Sequence, residues 1–300
     1  MKKFIINLSI FFVVLIAVDV CFGFISNYLI KHAAGGEIQK TEYICNGTSE
    51  DLLIMGSSRA VRHYDPKIIS DSLGVSCYNC AYIGCGCITA YGLLQALTSH
   101  YSPKYILYEV TPEFDYLKVE EDYSKYLGPL KLYSSVRGVD SIFSSIDPME
   151  KYKMNSNMYR INSKLLQLVA ENITKQNFIS NGYLPECRLM ATEPDDEVTK
   201  RYNCNDDYKV KCFNNIIQLC KRDKIKLVFI VSPLYNAEKS SEFDYCKELA
   251  HKYNIPFINH FNDSTINRNK DYFYDPVHMN VIGANAYTKN IIPELRAVFN

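Results

Sequence analysis

Five short, largely apolar runs recur along the chain, each bounded by a glycine, a proline or polar residues: DLLIMG at 51–56, VSCYN at 75–79, YILYEV at 105–110, KLVFIV at 226–231 and IPFI at 255–258. Continuous rather than alternating apolar character marks strands covered on both faces, which is the signature of a parallel sheet. Helical spacing of apolar residues lies between them, at 65–73, 85–99, 205–222, 238–253 and 279–298. This rhythm predicts an α/β domain of three layers with about five parallel strands. In such sheets ligands bind beyond the carboxyl ends of the strands, where the strand order reverses. Residues 33–50, with Gly35-Gly36 and mixed polar residues, read as a linker into the domain at 51–300. The stretch from 111 to 224 is too long for a crossover and implies an inserted cap over the site, at about 113–203.

Ahead of the domain, residues 4–30 carry one charged residue, Asp19. The run exceeds the roughly 20 residues that span a bilayer, and it lacks the short core and small-residue cleavage site of a secretory signal. It is expected to be an uncleaved anchor within residues 1–32, making a single-pass protein of the cell membrane. Lys2 and Lys3 bias the N-terminus to the cytoplasm and the domain to the extracytoplasmic side. Asp19 fits two readings, contact with a partner membrane protein or a position near enough to the outer end to reach headgroups.

Charge excludes one class of partner. With 33 Lys+Arg against 33 Asp+Glu, nothing draws the chain to a polyanion, and no nucleic acid is expected. The 11 cysteines include one, Cys21, in the anchor; pairing of the others is chemically allowed outside the cytoplasm. Cys77, Cys80, Cys85 and Cys87 are too crowded for a typical zinc arrangement and read as small buried hydrophobes, so no metal is assigned.

Two segments carry chemistry together. The first strand ends in Gly56-Ser57-Ser58-Arg59, and the last helix is preceded by Asp275-Pro276-Val277-His278. A serine hydroxyl is a weak nucleophile until a base takes its proton; histidine has suitable basicity, and a carboxylate on its other nitrogen fixes the tautomer. Asp275, three residues before His278, can supply that carboxylate. Ser58 at a strand-to-helix junction also places backbone N–H groups where an oxyanion develops. His63 lies only five residues after Ser58 on the following helix and is expected to point away from the hydroxyl. Arg59 reads as an exposed structural residue or an anion contact. Tyr116, Tyr123, Tyr126, Tyr133, Tyr152 and Tyr159 of the insert suit either sugar stacking or ordinary packing.

Ser58 in Gly-Ser-Ser-Arg, with Asp275-x-x-His278 near the end of the chain, resembles the SGNH/GDSL superfamily of serine hydrolases and acyltransferases, from about residue 51 onward apart from the insert. The resemblance implies a flavodoxin-like frame, Ser58 as nucleophile, His278 as base, Asp275 as its partner, and an oxyanion hole from the N–H groups of Ser58 and Gly84. More narrowly the chain is similar to membrane-anchored members that decorate bacterial surface polymers. An acylated glycan or small acyl ester is the implied substrate, and no cofactor is implied. One block departs: where the superfamily carries Gly-x-Asn-Asp, this chain has Glu109-Val110-Thr111-Pro112. Either Thr111 donates in place of the asparagine or that donor is missing. The competing expectation is a non-catalytic binding or assembly protein on the same fold.

Overall fold

The structure, a computed structural model, describes residues 1–119, 122–136, 138–173, 181–191, 204–238 and 240–299. The chain opens with a 30-residue helix, α1 (Lys2–Lys31), and α2 (Gly36–Asn46). Then come β1 (Leu52–Met55), α3 (Ser58–His63), α4 (Pro66–Leu73), β2 (Cys77–Asn79), α5 (Cys87–Leu97) and β3 (Tyr105–Glu109). The long β3 to β4 connection holds α6 (Pro112–Asp115), a 3₁₀ stretch (Ser124–Tyr133), α7 (Val139–Ile146), α8 (Glu150–Lys153), α9 (Asn157–Asn162), α10 (Leu165–Ile173) and α11 (Asp207–Arg222). The chain closes with β4 (Lys226–Val231), α12 (Asp244–Tyr253), β5 (Phe257–Asn259) and α13 (Val281–Phe299).

All strands are parallel, in the order β2-β1-β3-β4-β5. Alternate residues face opposite layers, as the pleat requires. Leu53, Met55, Ile106, Tyr108 and Phe229 belong to the core shared with α5 and α11; Leu52, Ile54, Leu107, Val228 and Ile230 belong to the one beneath α3, α4 and α13. Local signals start and stop the helices. The side chain of Asp65 caps α4 by accepting from Lys67 N–H, and Gly74 ends it at φ 70°; Asp206 caps α11 through the N–H groups of Tyr208 and Lys209. The direction of strand addition reverses between β1 and β3, so the gap past their carboxyl ends is where this topology leaves room for a ligand.

Residues 33–50 are not merely a linker. They contain α2, which buries Ile38, Lys40, Thr41, Ile44 and Cys45. Lys40 Nζ donates to the carbonyls of Ala81 (2.6 Å) and Gly182 (3.0 Å), and burial pushes its pKa down to about 8. The ammonium so ties α2 to the loop after β2. The insert also differs from a simple lid. Its helical part, 124–173, packs with α1, α2 and α5 on the α5/α11 side of the sheet. The segment 181–191 reaches the Ser58 side instead, with Leu184 N–H bonded to Val61 O and Met190 N–H to Phe273 O. The remainder of the expected cap, 120–121, 137, 174–180 and 192–203, lies outside the described residues.

The upper part of α1 packs on the domain through a stripe of Asp19, Gly23, Ser26 and Ile30. Asp19 accepts from Ser156 Oγ (2.7 Å), Met158 N–H (2.8 Å), Asn157 N–H (3.0 Å) and Asn157 Nδ2 (3.1 Å), capping α9. A Cβ on Gly23 would come within 2.6 Å of the Asn157 side chain. The stretch below Asp19 stands clear, with residues such as Phe4, Phe11 and Ile16 more than half exposed.

Gly56 is a tight point of the frame, where β1 leads into α3. Its φ is 138°, and a Cβ there would approach the Glu109 carbonyl to 2.6 Å. Gly56→Ala is expected to cost about 1–3 kcal/mol or more, since it adds strain to a collision with backbone. A denaturant midpoint unchanged from that of the unsubstituted chain would contradict this.

Candidate active site

β1 delivers the chain through Gly56 into α3, whose first residue is Ser58. From the other end of the sequence, the loop before α13 brings in Asp275 and His278. Three side chains meet although Ser58 and His278 are 220 residues apart. His278 Nε2 lies 2.8 Å from Ser58 Oγ, and His278 Nδ1 lies 2.9 and 3.0 Å from the two Asp275 oxygens. Asp275 also accepts the backbone N–H groups of Val277 and His278, both at 2.8 Å, which holds the loop as a tight turn. Burial alone would raise the Asp275 carboxyl, but the hydrogen bond and charge of His278 outweigh it and keep the pKa below the ordinary value. With Nδ1–H donated to that carboxylate, Nε2 is left to accept the Ser58 proton. Ser58 is 9% exposed and the side chains of His278 and Asp275 19% and 37%, so the relay runs from the floor of the site to its rim.

Behind this relay lies a second one. His63, expected to point away from the hydroxyl, is wholly buried with its ring centroid 6.3 Å from that of His278. Its Nε2 accepts the N–H of Met279 at 2.9 Å, next to His278, so its proton sits on Nδ1 and is donated to Ser232 Oγ at 2.7 Å. Ser232 Oγ donates in turn to Glu109 Oε1 at 2.8 Å. Burial holds the His63 pKa well below its ordinary value, with the charges of His278, Arg59 and Arg62 adding to the effect. Glu109 also accepts from Tyr64 Oη and from Ser232 N–H, and Arg59 Nε lies 3.2 Å from it. Arg59 is therefore neither an exposed residue nor a free anion contact: it is 3% exposed and paired within the fold.

Thr111 lies beside the first block. Its hydroxyl is 2.8 Å from Ser57 Oγ and accepts from Arg59 at 3.3 Å. Gly84 sits in the loop after β2 at φ 68°, with nothing within 4 Å of an added Cβ. That loop is fastened by Asn79, which donates to Ala60 O at 2.7 Å and accepts from Ala81 N–H at 3.1 Å. Cys77, Cys80, Cys85 and Cys87 are buried, and Cys87 Sγ contacts the carbonyls of Asp115 and Lys209. No group of three or more His, Cys, Asp or Glu side chains placed to hold a metal occurs among the described residues.

Several residues at the rim carried no sequence signal. Tyr274 stacks on His278 with centroids 5.5 Å apart and planes 13° from parallel. The guanidinium groups of Arg62 and Arg188 each lie 5.2 Å from the Tyr274 ring. Both also pair with Glu186, whose pKa is pushed down to about 2 chiefly by its hydrogen bond from Arg188. Of these residues only Tyr274 adjoins a motif singled out from the sequence, directly preceding Asp275. Of the insert tyrosines, Tyr116, Tyr126 and Tyr133 are buried and Tyr123 donates to Asp206, whereas Tyr152 and Tyr159 are exposed.

No protein-family model matches the chain, and a search of curated proteins gives no match.

The pKa of His63 sets a pH dependence. Unfolded, this group takes up a proton near its ordinary value of 6.5; folded, it does not, so stability is retained above about pH 6.5 and falls as pH drops below it. His63→Gln keeps a donor and an acceptor but cannot titrate. Its melting temperature in detergent should decline less between about pH 7 and pH 5, by up to the worth of one proton. Parallel declines in the two proteins would rule the account out.

Proposed function

We propose that this chain is a serine acyl-transfer enzyme of the SGNH/GDSL type, anchored in the cell membrane by α1 with its domain on the extracytoplasmic side. The observation that carries the reading is the continuous bonding from Ser58 Oγ through His278 to Asp275. His278 Nε2 takes the Ser58 proton as Oγ bonds to the acyl carbonyl carbon, and Asp275 steadies the imidazolium. The N–H groups of Ser58 and Gly84 receive the developing oxyanion. Collapse expels the alcohol, which leaves with the proton held on His278, and an acyl ester remains on Ser58. A water or a sugar hydroxyl then gives its proton to His278 and attacks that ester, and as the bond to Ser58 Oγ breaks His278 returns the proton to Oγ, freeing the serine.

The substrate class proposed is an acyl ester of a surface or exported glycan. A neutral chain suits an uncharged acylated sugar, and a membrane anchor suits transfer between exported molecules. Thr111 is held by Ser57 and Arg59, so the oxyanion is assigned to backbone donors. Loss of a side-chain donor of this kind costs about 10² to 10³ in rate, and a correspondingly modest turnover is expected.

A fluorophosphonate probe should label the full-length protein at Ser58, labelling should vanish in Ser58→Ala, and His278→Ala should slow it by about 10² or more. Hydrolysis of p-nitrophenyl acetate should follow the same order. Labelling elsewhere than Ser58, or at an unchanged rate in His278→Ala, would defeat the enzyme reading.

A further inference from the structure

The length of α1 and the place where it meets the insert do not fit a domain held clear of the bilayer. Lys2 and Lys3 mark the inner end of the apolar stretch. From Phe4 to Val18 is about 15 residues, or about 22 Å at the helical rise, against roughly 30 Å of hydrocarbon. Yet at Asp19 the helix is already bonded to Ser156, Asn157 and Met158 of the insert. A full span therefore carries the bilayer about 8 Å past the point where protein docks on the helix, to the neighbourhood of Phe24, which is 71% exposed.

The surface at that level has the chemistry of a membrane interface. Met149 (57% exposed), Tyr152 (67%), Met158 (44%) and Tyr159 (40%) present large apolar or aromatic groups from α8, α9 and the residue before them. Lys151 and Lys153 lie among them; Lys153 Nζ pairs with Glu150 at 2.8 Å and Asp147 at 3.4 Å and sits 5.9 Å from the Tyr159 ring. Tyrosine rings and lysines are the side chains that settle at the level of headgroups. Amphipathic helices lying in the interface sink about 5–10 Å into the headgroup and acyl boundary, the same depth as the shortfall in α1. The Asp19 carboxylate, costly at that depth if bare, is covered by the donors of Ser156, Asn157 and Met158.

We infer that the edge of the insert formed by α8 and α9 is a membrane-seating surface: it enters the phospholipid interface beside α1 and fixes the domain directly on the bilayer. The inference rests on the reading that α1 spans the membrane. It gives the insert a task other than covering Ser58, because orientation relative to the lipid surface is then set by α1 and this edge together.

The chain contains no tryptophan, so single introduced tryptophans report without background. Full-length Phe11→Trp, Tyr152→Trp, Met158→Trp and Tyr253→Trp are placed in phosphatidylcholine/phosphatidylglycerol nanodiscs built with a tryptophan-free scaffold, one copy per disc, with lipids brominated high on the acyl chains. Tyr253 lies at the end of α12, near the β5 edge of the sheet, and serves as the remote control. Emission from Phe11→Trp, Tyr152→Trp and Met158→Trp should fall by roughly half or more relative to unbrominated discs, and Tyr253→Trp should be unaffected. If Phe11→Trp is quenched while Tyr152→Trp and Met158→Trp behave like Tyr253→Trp, the seating surface is wrong and the anchor stands. If Phe11→Trp is not quenched, the anchor reading fails and the inference with it.

Discussion

The buried carboxylate of Glu109, at the end of the central strand β3, is the point through which the parts of the candidate site are joined. It has no exposure, and burial pushes its pKa upward against the opposing pull of Arg59, Tyr64 and Ser232. A charge taken out of water is tolerable only when paired and fully hydrogen-bonded. Here its partners come from α3, from the residue that follows it and from the end of β4. Because Arg59 immediately follows Ser58, and because Ser232 leads through His63 to the N–H of Met279, this one carboxylate fixes the position of the serine and of the loop that carries the histidine. Removing one partner of such a buried pair typically costs several kcal/mol, so the site and the stability of the frame are bound to the same group.

That arrangement also bears on the oxyanion donors of the proposed reaction. The position that the resemblance gives to an oxyanion asparagine holds Thr111, two residues after Glu109, and its hydroxyl is engaged by Ser57 and Arg59. A polar side chain already satisfied in a buried network is a poor donor to a transient charge, since it would have to break one bond to form another. The oxyanion donors proposed instead, the N–H groups of Ser58 and of Gly84 in the loop after β2, belong to the backbone and require no side chain to leave this network. The loop itself is held in place by Asn79 and, through the carbonyl of Ala81, by the buried ammonium of Lys40.

The same reasoning applies at the other end of the molecule. Asp19 reads in isolation as a defect in an apolar helix, but its oxygens complete the first turn of α9, where four N–H groups lack intrahelical partners. Gly23, Ser26 and Ile30 continue the contact upward, and the absence of a side chain at Gly23 lets Asn157 approach. The insert is thereby bound to the apolar helix, with 181–191 alone of its described parts meeting the serine side of the sheet.

The strands, most of the helices and the long apolar N-terminal helix are legible in the sequence because each depends on local periodicity and on nearby caps such as Asp65 and Asp206. Ser58, Asp275 and His278 were legible as well, because a serine at the end of a strand and an Asp-x-x-His turn are short-range patterns; their meeting across 220 residues was not. Tertiary structure alone decided that Arg59 is buried rather than exposed, that His63 supports the His278 loop, that the stretch expected as a linker contains α2, and that Asp19 finds its partner within the chain. Arg59, His63 and Lys40 of α2 are polar groups whose burial is allowed only by partners from distant segments, and the oxygens of Asp19 are likewise met by the start of α9. A sequence states which residues are charged or polar, but the low dielectric that makes their pairing obligatory exists only once the layers have packed.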